Sequence, residues 1–266
     1  MRVLARDEVA ALGLAPALGC VIVANVRHAD RYWIAEVAPG AVGDVIVQLE
    51  RFPAAVPAAH CQLRFRFAPG AEPLLIPQTP GAGRDSVRVA DLVYSVEAVP
   101  VVGGDSYDLW RGLWDHYGNA YRLCSLDDRY QSMVVRAGHR VEQLRLRLSP
   151  DQRQRVLEAA LRRGDRAQMQ VMYNTLTCNC STEDYRALDD AVRYDAGRSL
   201  LKFAASPLEA MPTQARIVLG ARGLLDAGSE LPDLARERAA ASGGPPGSPP
   251  LARPRRAAPA DEAHRP

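Results

Sequence analysis

Residues 60–67 alternate between polar and apolar side chains at every position, and this pattern constrains the fold more than any other in the chain. One face is polar and the other apolar, with His60, Gln62, Arg64 and Arg66 opposite Cys61, Leu63, Phe65 and Phe67. A period of two matches an extended strand, in which successive side chains point to opposite faces of a sheet. The pattern therefore predicts a half-buried strand whose polar face carries a histidine.

Shorter strand patterns lie on both sides of this segment. They occur at 21–23, 32–34, 45–47, 86–99 and 141–148, and polar or Pro/Gly-rich stretches separate most of them. The aromatic-rich residues 106–121 are predicted to be helical or loop. Because the strands are short and closely spaced, the sequence predicts a mostly antiparallel sheet.

A strong helix start follows the last strand pattern. Ser149 is a natural N-cap, Pro150 suits the first turn, and Gln152 completes a capping box. The helix is predicted to run to about Arg163 and to end at Gly164. One or two short closing helices are predicted within 207–235.

These elements predict an α+β fold in which the sheet packs against helices. A chain of 266 residues is long enough to bury a full hydrophobic core. We predict one domain over residues 1–235. From residue 236 the chain consists mainly of Ala, Gly, Pro and Arg without periodicity, which predicts a disordered tail over 236–266.

Charge and hydropathy exclude some classes of function. The formal net charge is +2, so no strong global field favours nucleic acid as a partner. No stretch reaches the ~18–20 apolar residues that a membrane helix needs. Asp7 and Glu8 interrupt the apolar run near the start, so no clear signal peptide is predicted and a cytoplasmic location stays open.

The five cysteines, at positions 20, 61, 124, 178 and 180, are too few and too irregular for a disulfide scaffold. Cys178 and Cys180 could form half of a metal site or a strained disulfide. However, structural zinc sites need four ligands, and no complementary Cys/His pair is visible. The sequence therefore predicts no metal and no cofactor.

Cys180 is the candidate nucleophile. It directly precedes a predicted helix that begins near Ser181, whose hydroxyl can cap it, with Glu183 and Asp184 in the first turn. Unpaired backbone N–H groups and the helix dipole favour a thiolate there and could stabilise an oxyanion. The alternative interpretation of Cys180 is a small buried apolar residue.

His60 is the candidate general base, because it lies on the polar face of its strand, where an imidazole could project into a cleft. Papain-like enzymes combine a cysteine at a helix start with a histidine on a neighbouring strand. Here the histidine comes first in the chain, an order that implies a circularly permuted version. The alternative interpretation is an ordinary surface or core histidine.

Three segments in the same order resemble the Lnb N-terminal periplasmic domain family. They are Ala58–Phe65, which contains Ala-His; Tyr94–Ala98, which contains Ser-Val-Glu; and Tyr173–Thr182, which contains Tyr-Asn-Thr-Leu-Thr and Asn-Cys-Ser-Thr. The resemblance implies a permuted papain-like, NlpC-type thiol enzyme of the bacterial envelope. By association with the member that names the family, it implies acyl transfer in lipoprotein maturation.

The resemblance also implies roles for individual residues. Cys180 corresponds to the nucleophile, His60 to the base and Asn179 to the residue before the nucleophile. Ser95 and Glu97 match the middle motif and could orient the His60 ring, although a cross-strand polar pair is an equal alternative. Two residues depart from the family pattern: Ser181 stands where threonine is usual, and Cys178 where another residue is common.

The implied partners are a lipoprotein, a lipid or a peptide substrate in the periplasm or cell envelope. Association with a membrane surface is compatible with the absence of a predicted membrane helix. The alternatives are a cysteine peptidase or amidase acting on peptide or cell-wall amides, and a catalytically idle binding module of the same fold.

Overall fold

The computed structural model describes residues 1–53, 59–78, 85–100, 111–114, 116–167 and 170–242. Within these residues eleven strands form one sheet, and seven α-helices accompany it. The strands are β1 Arg2–Val3, β2 Val21–His28, β3 Arg31–Val37, β4 Val42–Arg51, β5 Ala59–Phe67, β6 Leu74–Pro77, β7 Val87–Arg88, β8 Asp91–Pro100, β9 Tyr117–Ser125, β10 Arg140–Arg145 and β11 Glu230–Leu231. The helices are α1 Arg6–Ala11, α2 Leu126–Tyr130, α3 Pro150–Ala167, α4 Cys180–Ala191, α5 Ala196–Ala205, α6 Ala215–Ala221 and α7 Leu234–Ala241.

The strand order is β11-β10-β4-β5-β8-β9-β2-β3-β6-β7, and β1 pairs with β2. Among the described strands, β2 and β9 form the one parallel pair, and all other neighbours are antiparallel. The α+β class with a large, mostly antiparallel sheet is therefore confirmed.

The alternation on β5 separates two faces of the central strands. We call one the core face: its apolar side chains, including Leu63, Leu49 and Tyr94, pack against α3 and α4. We call the other the polar face: its side chains, including Gln62 and Arg64, hydrogen bond to groups from α2 and α7. The predicted strand with a polar face is confirmed, but it is not half-buried, because α2 and α7 cover that face and Gln62 and Arg64 are buried.

Helix α3 begins at Pro150 as predicted but continues past Gly164 to Ala167. Gly164 is buried within the helix, and a Cβ atom placed on it would lie 3.3 Å from Cβ of Tyr121 on β9. The glycine permits close packing of α3 on the sheet. The predicted end at Gly164 is wrong because this glycine serves a helix–sheet contact.

Two further segments differ from the prediction. Tyr117 and Tyr121 belong to strand β9, whereas 106–121 was expected to be helical or loop; residues 106–110 and 115 of that segment lie outside the described residues. Helix α5 lies before the predicted closing helices and was missed. Several apolar side chains of this helix are exposed, so its apolar residues did not indicate a buried helix face.

The predicted domain boundary at residue 235 falls inside helix α7. Helix α7 extends to Ala241, and its Glu237 carboxylate accepts hydrogen bonds of 2.8 Å from the guanidinium groups of Arg64 and Arg66 on β5. These ion pairs hold a helix of low hydrophobicity on the polar face. Residues 243–266 of the predicted tail lie outside the described residues.

Candidate active site

Helix α4 begins at Cys180, and Asn179 holds its first turn in place. The Asn179 side chain accepts a hydrogen bond of 3.0 Å from the Thr182 backbone N–H, and Thr182 Oγ1 accepts one of 2.8 Å from the Asn179 N–H. Asn179 is therefore the N-cap, not Ser181 as expected. Ser181 instead donates to the carbonyl of Glu209 at 2.7 Å.

The loop before α4 is fixed by the same residue. Asn179 Nδ2 donates to the carbonyls of Thr175 at 2.6 Å and Ala210 at 3.0 Å. Asn179 is only 2% exposed, so these bonds form in a buried setting where an unmade bond would be costly. Cys180 therefore sits on a rigid turn that is clamped from two sides.

The Cys180 thiol lies on the core face, against β5, and is 6% exposed. Burial raises its pKa to about 12, and backbone N–H groups of Cys61, Ser181 and Cys180 itself act in the opposite direction. The thiol is thus protonated at neutral pH. The same N–H groups are available to stabilise negative charge that develops on sulfur or on a bound acyl group.

Unpaired polar groups surround this thiol. Asp184 lies one turn further along α4, beside the Cys61 thiol, and burial raises the pKa of its carboxyl group well above the usual value. In the described structure no N–H or O–H group donates to either Asp184 oxygen, and the weak donor that acts on this carboxyl group is the Cys61 thiol. The hydroxyls of Tyr94 and Tyr185, which the Asp184 carboxyl group influences electrostatically, have no hydrogen-bond partner there.

Sequence reasoning placed Asp184 in the first turn of the helix and missed this cluster. A signal was present: Cys180, Asp184 and Leu188 recur at intervals of four residues and thus share one helix face. Leu188 is an apolar member of that face and marks it as buried.

The structure brings together the other three predicted site residues. His60 Nε2 lies 2.8 Å from Ser95 Oγ, and the Ser95 hydroxyl donates to Glu97 Oε1 at 3.3 Å. Because the Ser95 hydroxyl donates its proton to Glu97, Ser95 Oγ accepts a hydrogen bond from His60. The imidazole proton is therefore on Nε2. Nδ1 is then the basic nitrogen.

Charges around His60 keep its ring neutral. Burial and the Arg129 guanidinium lower the pKa of His60 to about 4. Burial alone would raise the pKa of Glu97, but its ion pairs with Arg129 at 2.8 Å and Arg122 at 2.7 Å outweigh burial and hold the pKa below its usual value. The imidazole therefore has an unprotonated ring nitrogen at neutral pH, and its lowered pKa makes it a weaker base than an ordinary histidine.

The structure does not bring His60 and Cys180 into contact. The His60 ring lies on the polar face with Ser95, whereas Cys180 packs with Cys61 on the core face. No hydrogen bond joins the two side chains in the described structure. Strand β8 pairs with β5 only from Gln62 onward, so β8 does not cover the edge of β5 at His60 and Cys61. At this uncovered edge the Cys180 thiol interacts with the Cys61 N–H.

Cys178 occupies a different environment from Cys180. It is half-buried, and its sulfur accepts a hydrogen bond of 3.1 Å from Asn119 Nδ2. All five cysteines are free thiols, so the alternative of a Cys178–Cys180 disulfide is not present in this structure. Among the described residues, no group of three or more His, Cys, Asp or Glu side chains could hold a metal ion.

Comparison with known proteins identifies the family. Residues 33–212, a span that includes His60, Ser95, Glu97 and Cys180, match the Lnb N-terminal periplasmic domain. No curated protein and no solved structure matched the chain. Across the described residues, no helix combines the length and apolar character needed to span a membrane. The family supports a location in the bacterial periplasm or cell envelope. Because the match covers more than half of the sequence, the chain belongs to the Lnb N-terminal periplasmic domain family.

Proposed function

We propose that the protein is a cysteine-dependent acyl-transfer enzyme of the cell envelope with a permuted papain-like site, in which Cys180 is the nucleophile. The observation that carries this proposal is the clamped N-terminus of α4, where three backbone N–H groups act on the Cys180 thiol. Sulfur at such a position can attack an acyl carbon while neighbouring N–H groups bind the oxyanion.

The reaction proceeds in two halves. Cys180 Sγ bonds to the acyl carbon, the tetrahedral oxyanion collapses, and the leaving group departs with a proton. The resulting thioester then passes its acyl group to an amine or to water, and sulfur regains a proton. Because burial keeps the free thiol protonated, the first half needs a base.

His60 is the proposed base. Its Nε2 proton is engaged by Ser95, which leaves Nδ1 able to accept the thiol proton and later to deliver it to the leaving group. The transfer requires the ring to turn around the edge of β5 that β8 leaves uncovered. The support for this route is that the Cys180 sulfur already meets the backbone of Cys61, the residue next to His60.

The proposed substrate is a lipid-linked acyl group, as in lipoprotein N-acylation. Large apolar side chains lie exposed on the segments that clamp Asn179: Leu176 is 64% exposed and Met211 45%. Phe203 and Ile217, on the neighbouring helices α5 and α6, are also exposed. Exposed apolar side chains beside a candidate nucleophile favour an acyl chain or a membrane surface over a polar peptide.

The test is a product analysis with two substrate classes. The protein is incubated with a diacyl lipopeptide plus phospholipid and, separately, with cell-wall peptides, and products are identified by mass. We expect an N-acylated lipopeptide and a thioester adduct on the Cys180 peptide. Cys180→Ala should abolish both, while Cys20→Ser, which removes an accessible thiol away from the site, should retain both. Cleaved cell-wall peptide would assign a peptidase or amidase, and no product from either class would overturn catalysis.

The role of His60 has its own test. The rate at which iodoacetamide alkylates Cys180 at pH 7 is compared between the wild type and His60→Gln. Loss of a general base is expected to slow the reaction by on the order of 10²-fold. Ser95→Ala should give a smaller loss, because the ring remains but is less well oriented. An unchanged rate in His60→Gln would exclude His60 as the base and leave Cys180 as the nucleophile.

A further inference from the structure

A second pocket, which the proposed chemistry does not use, lies between α3 and α4. Its volume is about 360 Å³, and Cys178 and the buried carboxylate Glu183 contribute to its lining. The remaining polar wall is formed largely by arginines from the two helices: Arg162, Arg163, Arg166 and Arg186. The pocket thus places a thiol beside guanidinium groups from two facing helices.

The charges in this pocket do not balance. Four arginines face two carboxylates, Glu183 and Asp190, so the lining carries an excess of two positive charges. Arg166 makes no ion pair within the described residues, and Arg162 reaches only Glu158, at 4.0 Å. These two exposed guanidinium groups, one without an ion pair in the described residues and one with only a long ion pair, are available to bind an anion.

The other two arginines are held in position. Glu183 is 2% exposed and accepts hydrogen bonds from Arg163 at 3.2 Å, from Tyr121 at 3.0 Å and from Arg186. These bonds fix both guanidinium groups at the pocket before any ligand arrives, which lowers the entropy lost on binding. Planar guanidinium groups match the oxygens of phosphate, and several of them can share one phosphate group.

We propose that this pocket binds a phosphate group, carried either by the headgroup of a glycerophospholipid or by free phosphate. The proposal goes beyond the acyl-transfer function and does not depend on it, because none of the pocket groups takes part in the chemistry at Cys180. Cys178 serves as a reporter within the pocket: its sulfur lies 3.8 Å from Arg186 Nη1, so a bound anion would cover it.

The test measures how fast iodoacetamide alkylates Cys178 in the full chain carrying Cys180→Ala and Cys20→Ser. Cys61 and Cys124 are buried, so Cys178 is the accessible thiol that remains. Alkylation is followed by peptide mass in chloride, and in inorganic phosphate at matched ionic strength. It is also followed with vesicles of phosphatidylglycerol or of phosphatidylcholine. We expect saturable protection of at least about fivefold from a phosphate-bearing ligand.

Matched variants show whether the arginines cause the protection. Arg162→Gln with Arg166→Gln should raise the half-protecting concentration roughly tenfold or more. Arg193→Gln with Arg236→Gln removes the same charge outside the pocket and should leave it unchanged. Protection by phosphate alone assigns a soluble phosphate, and protection by vesicles alone assigns a headgroup. Equal protection in chloride, no protection by any probe, or no effect of the pocket variant would overturn the proposal, while an active Cys180 would still support the acyl-transfer function.

Discussion

The two faces of strand β5 treat buried polar groups in opposite ways. On the polar face, Arg64 is 2% exposed and bonds to Asp91 at 2.7 Å and to Glu237 and Gln143 at 2.8 Å. On the core face, the carboxyl group of Asp184 is fully buried, and in the described structure no N–H or O–H group donates to it; only the weak donor Cys61 thiol acts on it. Strand β5 thus separates buried polar groups that are hydrogen-bonded from a cluster of buried polar groups that lack N–H and O–H partners.

This difference shows where the protein gives up stability. Buried polar groups are normally paired, because an unpaired one costs about 1–3 kcal/mol. The unpaired groups of the core face surround Cys180, the candidate nucleophile, whereas the paired groups of the polar face tie α2 and α7 to the sheet. We interpret the Arg64 network of the polar face as structural, and the unpaired groups of the core face as the surroundings of the candidate nucleophile.

The largest effect is expected from breaking the polar-face network at its centre. Arg64→Ala removes the buried guanidinium that Asp91 and Glu237 share, leaves them only the half-buried Arg66, and should lower the free energy of unfolding by about 3–5 kcal/mol. Urea unfolding followed by circular dichroism measures this loss. Arg140→Ala, at an exposed position of β10, is the control and should cost less than about 0.5 kcal/mol. A loss below about 1 kcal/mol in Arg64→Ala would show that the network contributes little.

Acid should destabilise the protein through His60. The pKa of His60 is about 4 in the folded state against about 6.5 when unfolded, so between these values the unfolded state binds the extra proton. Stability from this residue is therefore complete above pH 6.5 and is lost as the pH falls toward 4, by up to about 3 kcal/mol. His60→Gln should show a flatter dependence over that window. Parallel curves for the two proteins would contradict the buried neutral imidazole.

Asp184 should give the opposite pH dependence. Its pKa is raised in the folded state, so above about pH 4 the folded protein holds a proton that the unfolded chain releases, and stability falls as pH rises. Asp184→Asn removes this penalty and should be more stable than the wild type at neutral pH by about 1–3 kcal/mol. The gain should grow with pH from about 4 upward. A variant less stable than the wild type at pH 7 would mean that the carboxyl group has a partner after all.

The smallest effect is expected beyond α7. Deletion of residues 243–266 should leave the melting temperature unchanged, because their Ala-, Gly-, Pro- and Arg-rich composition offers little apolar surface to bury. Glu237→Ala is the matched comparison: it removes an ion pair of α7 and should cost about 1.5–3 kcal/mol. A lower melting temperature after the deletion would place part of 243–266 on the domain.

The sequence predicted what depends on local pattern. The alternation around His60 and Cys61 defined β5 and its two faces, and Ser149 with Pro150 defined the start of α3. Where tertiary contact decides, the sequence misled: Gly164 reads as a helix end but serves close packing against Tyr121. The sequence also misled for the residues just after 235, because only the fold shows that Glu237 binds Arg64.

The candidate site was predicted in its parts but not in its arrangement. The motifs identified Cys180, Asn179, His60, Ser95 and Glu97, and the structure groups the last three by hydrogen bonds. The same alternation that identified the His60 strand also places its ring opposite Cys61, and hence opposite a thiol that packs on the core face. Only the packing of α4, a contact between distant segments, reveals this separation.

The interleaved strand order has a consequence for how the molecule folds. Strand β4 pairs with β10, and β2 pairs with β9, so the centre of the sheet closes only after long stretches of chain have been brought together. Such non-local pairings make folding slow, because loop-closure entropy is lost before the contacts form. Cys180 is buried by β5 only once this closure is complete. During refolding its thiol should therefore react with an alkylating reagent as fast as in the unfolded chain until the final slow phase. The later fall in this alkylation rate measures when the sheet assembles.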